Sequence, residues 1–244
     1  MRSFLQEIIL QLKTKFYYHG IEKAHARNAM EHPEEYNNIR RILQAYHKGG
    51  GLQHLFQEYK LYHLKQLLWS CRPSSILELG SGSTTPVFAE YVRSAGKECV
   101  MTSVDESEKW LEHAKKIAWE NSALESAAEF IVAPSICEDM RQPPEVKYDF
   151  TAKKEYDFVF IDGPSLLVNG EKNKTAVNTN IFDLLQTQSP ATIVVDIRES
   201  TVNALKSRLY NEYDVIVSDV ILRKANRLGY EYFSIFRLKS TGIN

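Results

Sequence analysis

Ser74-Ser75-Ile76-Leu77-Glu78-Leu79-Gly80-Ser81-Gly82-Ser83-Thr84-Thr85 is the stretch that decides the fold. Residues 76–79 are apolar and β-compatible apart from Glu78 and lie just after Pro73, which predicts a short buried strand. Gly80 and Gly82 follow at its carboxyl end, where an open α/β sheet receives its ligands. Thr84 or Thr85 can then start a helix, with a hydroxyl to cap it and Pro86 in its first turn. The expected object is a glycine turn that lets a ligand approach the backbone, faced by amides and a helix N-terminus.

The spacing narrows the ligand. A nicotinamide fingerprint needs G-x-G-x-x-G, and Thr85 stands where the third glycine belongs. No G-K-[ST] follows, so the phosphate-loop reading fails as well. What remains is E-x-G-x-G-x-T, with Glu78 two residues before Gly80. That pattern resembles motif I of the class I S-adenosylmethionine-dependent methyltransferases, especially their small-molecule O-methyltransferase branch. A carboxylate suits that ligand, which is a cation bearing an ammonium group and no phosphate.

From residue 74 onward, strands and helices alternate, the signature of a parallel sheet with crossover helices. Helices are expected over 85–95, 108–120, 179–188 and 200–210, and strands over 99–104, 129–133, 156–161 and 191–197. Asp105, ending the second strand, is placed to accept hydrogen bonds from ribose hydroxyls. The competing role for Asp105 is the N-cap of the next helix, which Ser107 can fill instead. Residues 137–155, with Pro143-Pro144 and many charges, read as a surface loop, and 166–179 as a mobile loop over the cleft.

Tyr156-Asp157-Phe158-Val159-Phe160-Ile161-Asp162-Gly163-Pro164 resembles motif IV of the same family, and Asp162 would emerge from it into the cleft. The resemblance spans about residues 74–238. It implies a Rossmann-like, seven-stranded, mostly parallel α/β sheet closed by a C-terminal antiparallel hairpin, here over 215–222 and 230–238 around a basic turn. It also implies a cofactor site of Glu78, Gly80, Ser81, Gly82, Thr84, Asp105, Ser135, Ile136 and Asp162. Asp162 and Asp196 are the catalytic candidates, with a histidine of the N-terminal region as another source of a base. In the metal-dependent relatives two such acids and an Asn hold a divalent ion. Ile197 stands where that Asn would follow and no Lys comes closely after Asp162, so a metal is not favoured.

Residues 1–72 read as three helices without a strand: one carrying Phe4, Leu5, Ile8, Ile9 and Leu12, a second over 33–47, and a third over 52–69 beyond Gly49-Gly50-Gly51. The expected organisation is a helical cap, 1–72, on a cofactor-binding domain, 73–244, the cap walling off a small-molecule pocket. Six of the seven histidines lie in this cap, with no H-x-x-x-H pair to place two ligands on one helical face.

Composition bounds the rest. Lys and Arg number 30 against 31 Asp and Glu, a formal net charge of -1, which removes the electrostatic case for a nucleic-acid binder. Three widely spaced cysteines suit a reducing compartment, and neither a long apolar run nor a signal-peptide pattern is seen, so a cytoplasmic protein without membrane partners is expected. A homo-oligomer is compatible with all of this. The favoured activity is methylation of a small-molecule hydroxyl by S-adenosylmethionine. The alternatives are a protein or nucleic-acid methyltransferase and a non-catalytic cofactor-binding scaffold.

Overall fold

The computed structural model describes residues 4–53, 56–96, 99–120, 127–140, 142–164, 166–168, 171–173, 176–196, 198–216 and 233–239. Three helices come first: α1 (Phe4–Glu31), α2 (Pro33–Lys48) and α3 (Gln57–Cys71). Helix α2 carries its own boundary signals, with Pro33 in the first turn, Glu34 and Glu35 against the positive end of the dipole, and His47 and Lys48 against the negative end. Helix α3 stops at Arg72, which takes a left-handed conformation (φ 49°) just before Pro73. The side chains of Phe4, Leu5, Ile8, Ile9 and Leu12 lie outside the described residues.

The sheet begins at β1 (Ser75–Leu79), followed by α4 (Thr85–Ala95), β2 (Val100–Asp105), α5 (Glu108–Glu120) and β3 (Ala128–Val132). After them come β4 (Ser135–Asp139), β5 (Glu145–Tyr148), β6 (Phe158–Ile161), β7 (Leu166–Val168), β8 (Glu171–Asn173) and β9 (Val177–Asn178). The chain closes with α6 (Asn180–Leu185), β10 (Thr192–Val195), α7 (Glu199–Arg208), β11 (Tyr213–Ile216) and β12 (Ser234–Leu238). Seven strands form one sheet in the order β11-β12-β10-β6-β1-β2-β3. All neighbours are parallel except β12, which runs antiparallel between β10 and β11. That inserted strand distinguishes the sheet from the dinucleotide-binding order, in which all strands run parallel. The order reverses at β1, between β2 and β6, and this switch point is where such sheets bind ligands.

The side-chain period of two assigns each strand residue to one of two cores. Ile76, Met101, Phe158, Phe160, Val194 and Ile235 face a cluster that includes Val87, Phe88 and Tyr91 of α4. Leu77, Val104, Val159, Ile161, Ile193 and Val195 face the other, with Ile181 of α6 and Leu205 of α7. The first cluster also contains Tyr36, Ile39 and Ile42 of α2 and Leu61, Leu64 and Leu68 of α3. These helices therefore lie on the same sheet face as α4 and share its core.

Two loop expectations are corrected. Residues 137–155 contain ordered structure: β4 pairs antiparallel with β5, and β9 adds parallel to β5. Val146 and Tyr148 alternate inward with Glu145 and Lys147 outward, a strand pattern too short to stand out beside Pro143-Pro144. Residues 166–179 are not one open loop either, since β7 pairs with β8 and residues 176–180 are buried. The basic turn expected at 223–229 lies outside the described residues. Among the described residues, no helix is long and apolar enough to cross a membrane.

Candidate functional site

Glu78 points from β1 beneath the glycine turn and is fully buried. Three hydroxyls donate to its carboxylate: Thr84 Oγ1 to Oε1 at 2.6 Å, and Thr85 Oγ1 at 2.8 Å and Ser103 Oγ at 2.6 Å to Oε2. The Thr85 hydroxyl in turn accepts from the Gly82 N–H at 2.9 Å. The helix-capping expectation is corrected here, because Thr84 sits at the N-cap of α4 without a capping bond and gives its hydroxyl to Glu78. Burial pushes the Glu78 carboxyl up to about 7, with the three hydroxyl bonds opposing that rise. Glu78 and Thr84 thus shape the turn from below.

The two glycines serve different ends. Gly80 takes φ +103°, and a Cβ there would lie 2.6 Å from the Gly163 nitrogen, so it permits the ends of β1 and β6 to touch. A Cβ on Gly82 would meet only the Tyr46 hydroxyl, at 3.8 Å, so the space above it is open. Gly80→Ala should cost stability, by about 1–3 kcal/mol from left-handed strain before the clash is counted. Gly82→Ala should melt like the wild type yet bind ligand more weakly. Thermal denaturation beside ligand titration checks the pair, and equal melting of the two variants would remove the distinction.

Asp105 closes β2 and leans toward the turn. Its Oδ2 accepts from the Ser81 N–H and its Oδ1 from the Ser107 N–H, both at 2.8 Å. Ser107 Oγ accepts from the Trp110 N–H at 3.3 Å, so Ser107 caps α5 and Asp105 is released from that duty. Each Asp105 oxygen keeps a lone pair for a further donor. Burial raises its carboxyl above the ordinary range, the Ser107 and Ser81 bonds opposing.

At the exit of β6 the backbone is held on every side. The Asp162 and Gly163 N–H groups donate to the Leu79 carbonyl at 2.8 and 2.7 Å. Asn178 Nδ2 donates to the Gly163 carbonyl at 2.7 Å, and the Arg198 guanidinium donates to the carbonyls of Asp162 and Pro164. The Asp162 side chain is exposed at the cleft while protein crowds around it. That crowding raises its carboxyl well above the ordinary range, Asp196 and Asp105 add to the rise, and Arg198 and Lys60 oppose it. Asp196, at the end of β10, is 2 % exposed and takes the Lys60 ammonium on Oδ2 at 2.5 Å.

Ser135 and Ile136 open β4 on exposed positions beyond the end of β3, with Ser135 in register with Tyr148. Ile197 lies outside the described residues. Glycine turn, Asp105, Asp162 and Asp196 all emerge at the carboxyl ends of four adjacent strands, β2, β1, β6 and β10.

Sequence reading missed what the helical layer contributes. Tyr46 ends the buried stripe Ile39, Ile42, Leu43 of α2 and extends toward the cleft, where Asp162 and Asp105 add to burial in raising its phenol. Its ring stacks on His113, centroids 6.1 Å apart. His47 meets Gln57 Oε1 at 3.0 Å, and Gln57 Nε2 donates to Ser83 Oγ at 3.1 Å, tying α2 and α3 to the glycine turn. Lys60 falls on the helical stripe of Gln57, Leu64 and Leu67, all buried. A lysine on a buried stripe was the available signal.

No family model matches the chain, and no curated protein sequence matches it. Solved structures do. A putative O-methyltransferase from Klebsiella pneumoniae aligns at TM-score 0.56 and 13% identity, over 83% of this chain and 90% of that one. The O-methyltransferase from Bacillus cereus, solved with S-adenosylhomocysteine, aligns at 0.53 and 16%, over 83% and 91%. The O-methyltransferase of tomaymycin synthesis from Streptomyces achromogenes, solved with S-adenosylmethionine, aligns at 0.54 and 14%, over 83% and 90%. The likeness is one of fold: this chain has the class I methyltransferase fold.

Proposed function

We propose that this protein is an S-adenosylmethionine-dependent methyltransferase that methylates a hydroxyl group of a small molecule. The observation that carries the reading is the convergence of an open glycine turn, a ribose-ready Asp105 and a raised Asp162 at one topological switch point. The S-adenosylhomocysteine and S-adenosylmethionine in the Bacillus and Streptomyces structures, which share this fold, support the choice of ligand. The residues here fit it. Gly82 leaves volume beside the turn, the Asp105 oxygens retain lone pairs, and the turn over residues 80–85 carries no G-K-[ST] for a phosphate.

S-adenosylmethionine supplies a methyl already activated by its sulfonium, so transfer to an oxygen leaves a neutral thioether and releases the acceptor's proton. Asp105 would hold the ribose hydroxyls, and the glycine turn would take the amino-acid portion against open backbone. Asp162 would align the acceptor and hold the released proton on its carboxylate. Orientation of this kind is worth effective molarities of about 10⁵–10⁸ M. Tyr46 and the ends of α2 and α3 would cover the acceptor and keep out water. The small-molecule assignment rests on that cover together with the balanced charge of the chain.

Calorimetry of the whole chain with S-adenosylhomocysteine tests the reading. Heat should be seen with the wild type, and Asp105→Ala should weaken binding by about ten- to a hundredfold, the loss of charge-assisted bonds of about 1.5–3 kcal/mol. No heat and no thermal shift at millimolar ligand would end it. A screen of hydroxyl-bearing metabolites with radiolabelled methyl donor tests the acceptor class separately.

A further inference from the structure

Asp162 and Asp196 leave neighbouring strand ends, a disposition in which two carboxylates would ordinarily invite a shared divalent ion. The chain brings its own cation there instead. Lys60 reaches from α3 to Asp196 Oδ2 at 2.5 Å, with its side chain 15% and that of Asp196 3% exposed. The ammonium also lies 5.4 Å from the centroid of the Phe233 ring, a second attraction that fixes its position. Its charge extends to Asp162, whose carboxylate it favours together with Arg198. The other oxygen of Asp196, Oδ1, is buried without a hydrogen-bond partner among the described residues. A dication held between the two acids would sit against a buried ammonium, like charge on like.

We propose that Lys60 is the resident cation of this acid pair, filling the electrostatic role of a divalent ion and leaving Asp196 Oδ1 to accept a donor from the bound molecule. The inference deepens the methyltransferase reading, because it concerns the pocket in which the acceptor would lie. It assigns a role to the helical layer beyond cover: α3 delivers the positive charge beside the oxygen that must give up its proton. Such a fixed charge, already in place before reaction, stabilises developing negative charge without reorganisation. Lys60 is a positioning residue in this account, acting through Asp196 and Asp162.

Manganese binding tests it without any acceptor. Mn²⁺ is titrated by electron paramagnetic resonance into wild type and Lys60→Met, each with and without S-adenosylhomocysteine. Wild type should stay silent to about 1 mM, while Lys60→Met, its acid pair stripped of the ammonium, should bind at least about tenfold more tightly. A merely structural lysine would produce no such gain. Micromolar binding of Mn²⁺ by the wild type overturns the proposal, and so does a folded Lys60→Met that binds no better. If Lys60→Met fails to fold, the neutral and more polar Lys60→Gln is titrated in its place, with the same gain expected and its absence overturning the proposal. Heat with S-adenosylhomocysteine, measured on the same samples, reports the methyltransferase reading independently. Its absence would sink that reading and leave the Mn²⁺ result standing as evidence on Lys60.

Discussion

Asp162→Asn should lower turnover by about 10²–10⁴-fold, the range for removing a positioned general base, while changing affinity for S-adenosylhomocysteine far less. The substitution keeps shape and removes the ability to hold a proton. The turn around it is fixed by backbone bonds to Leu79, Asn178 and Arg198, none of which uses the carboxylate. Folding should therefore survive. The pH profile adds a sign. Desolvation by the protein crowded around it and the nearby Asp196 raise this carboxyl above the ordinary range of about 3.9, so the base form, and with it the rate, should appear only as pH rises past that raised value. Among the described residues, Lys60 from α3, Tyr46 from α2, Asp105 from β2, Asp196 from β10 and Arg198 before α7 face it. Asp196→Asn removes a charge that raises Asp162 and should shift the acid limb of the profile down. Lys60→Met removes one that lowers it and should shift the limb up. Steady-state rates between pH 5 and pH 9 measure all three, and full turnover in Asp162→Asn would take that residue out of the mechanism.

What the sequence reveals about this site depends on how local each signal is. The glycine turn lies beside Pro86 and Asp105 beside Ser107 in the chain, and α4 and α5 begin where those signals place them. The place of Asp162 at a strand end was legible because the apolar run Phe158–Ile161 ends abruptly in a turn. Lys60 was not, since its partner Asp196 lies 136 positions away in the chain and nothing near either residue names the other. Tyr46 was hidden for the same reason: its approach to Asp105 and Asp162 depends on where α2 ends. The short strands β4 and β5 escaped because four or five residues with charges on alternate positions look like loop until a partner strand is known. Glu78 was visible but its environment was not. Sequence pattern assigns it to a cationic ligand, whereas in the fold both of its oxygens are taken up by hydroxyls below the turn.

That burial sets up the second large effect, on stability. The Glu78 carboxyl rises from 4.5 to about 7 in the folded protein, so the folded state binds one more proton than the unfolded chain across that interval. Its stabilising contribution is complete below about pH 4.5 and is lost as pH climbs through about 7, an effect on the order of 3 kcal/mol. For a chain of this size such a change corresponds to a melting shift of roughly 6–12 °C. Glu78→Gln cannot ionise, so its melting temperature should fall less than that of the wild type between pH 5 and pH 8, the difference being this one group. Glu78→Leu should be worse at every pH. It leaves the hydroxyls of Thr84, Thr85 and Ser103 without their acceptor, at about 1–3 kcal/mol for each that finds no substitute. It also frees Thr85, whose hydroxyl holds the Gly82 N–H, so the turn should loosen and S-adenosylhomocysteine should bind more weakly although Glu78 never reaches the surface. Melting curves at both pH values, with ligand titration at the higher one, measure these effects. A Glu78→Leu protein that melts with the wild type and binds as tightly would show that the buried carboxylate does not organise the turn.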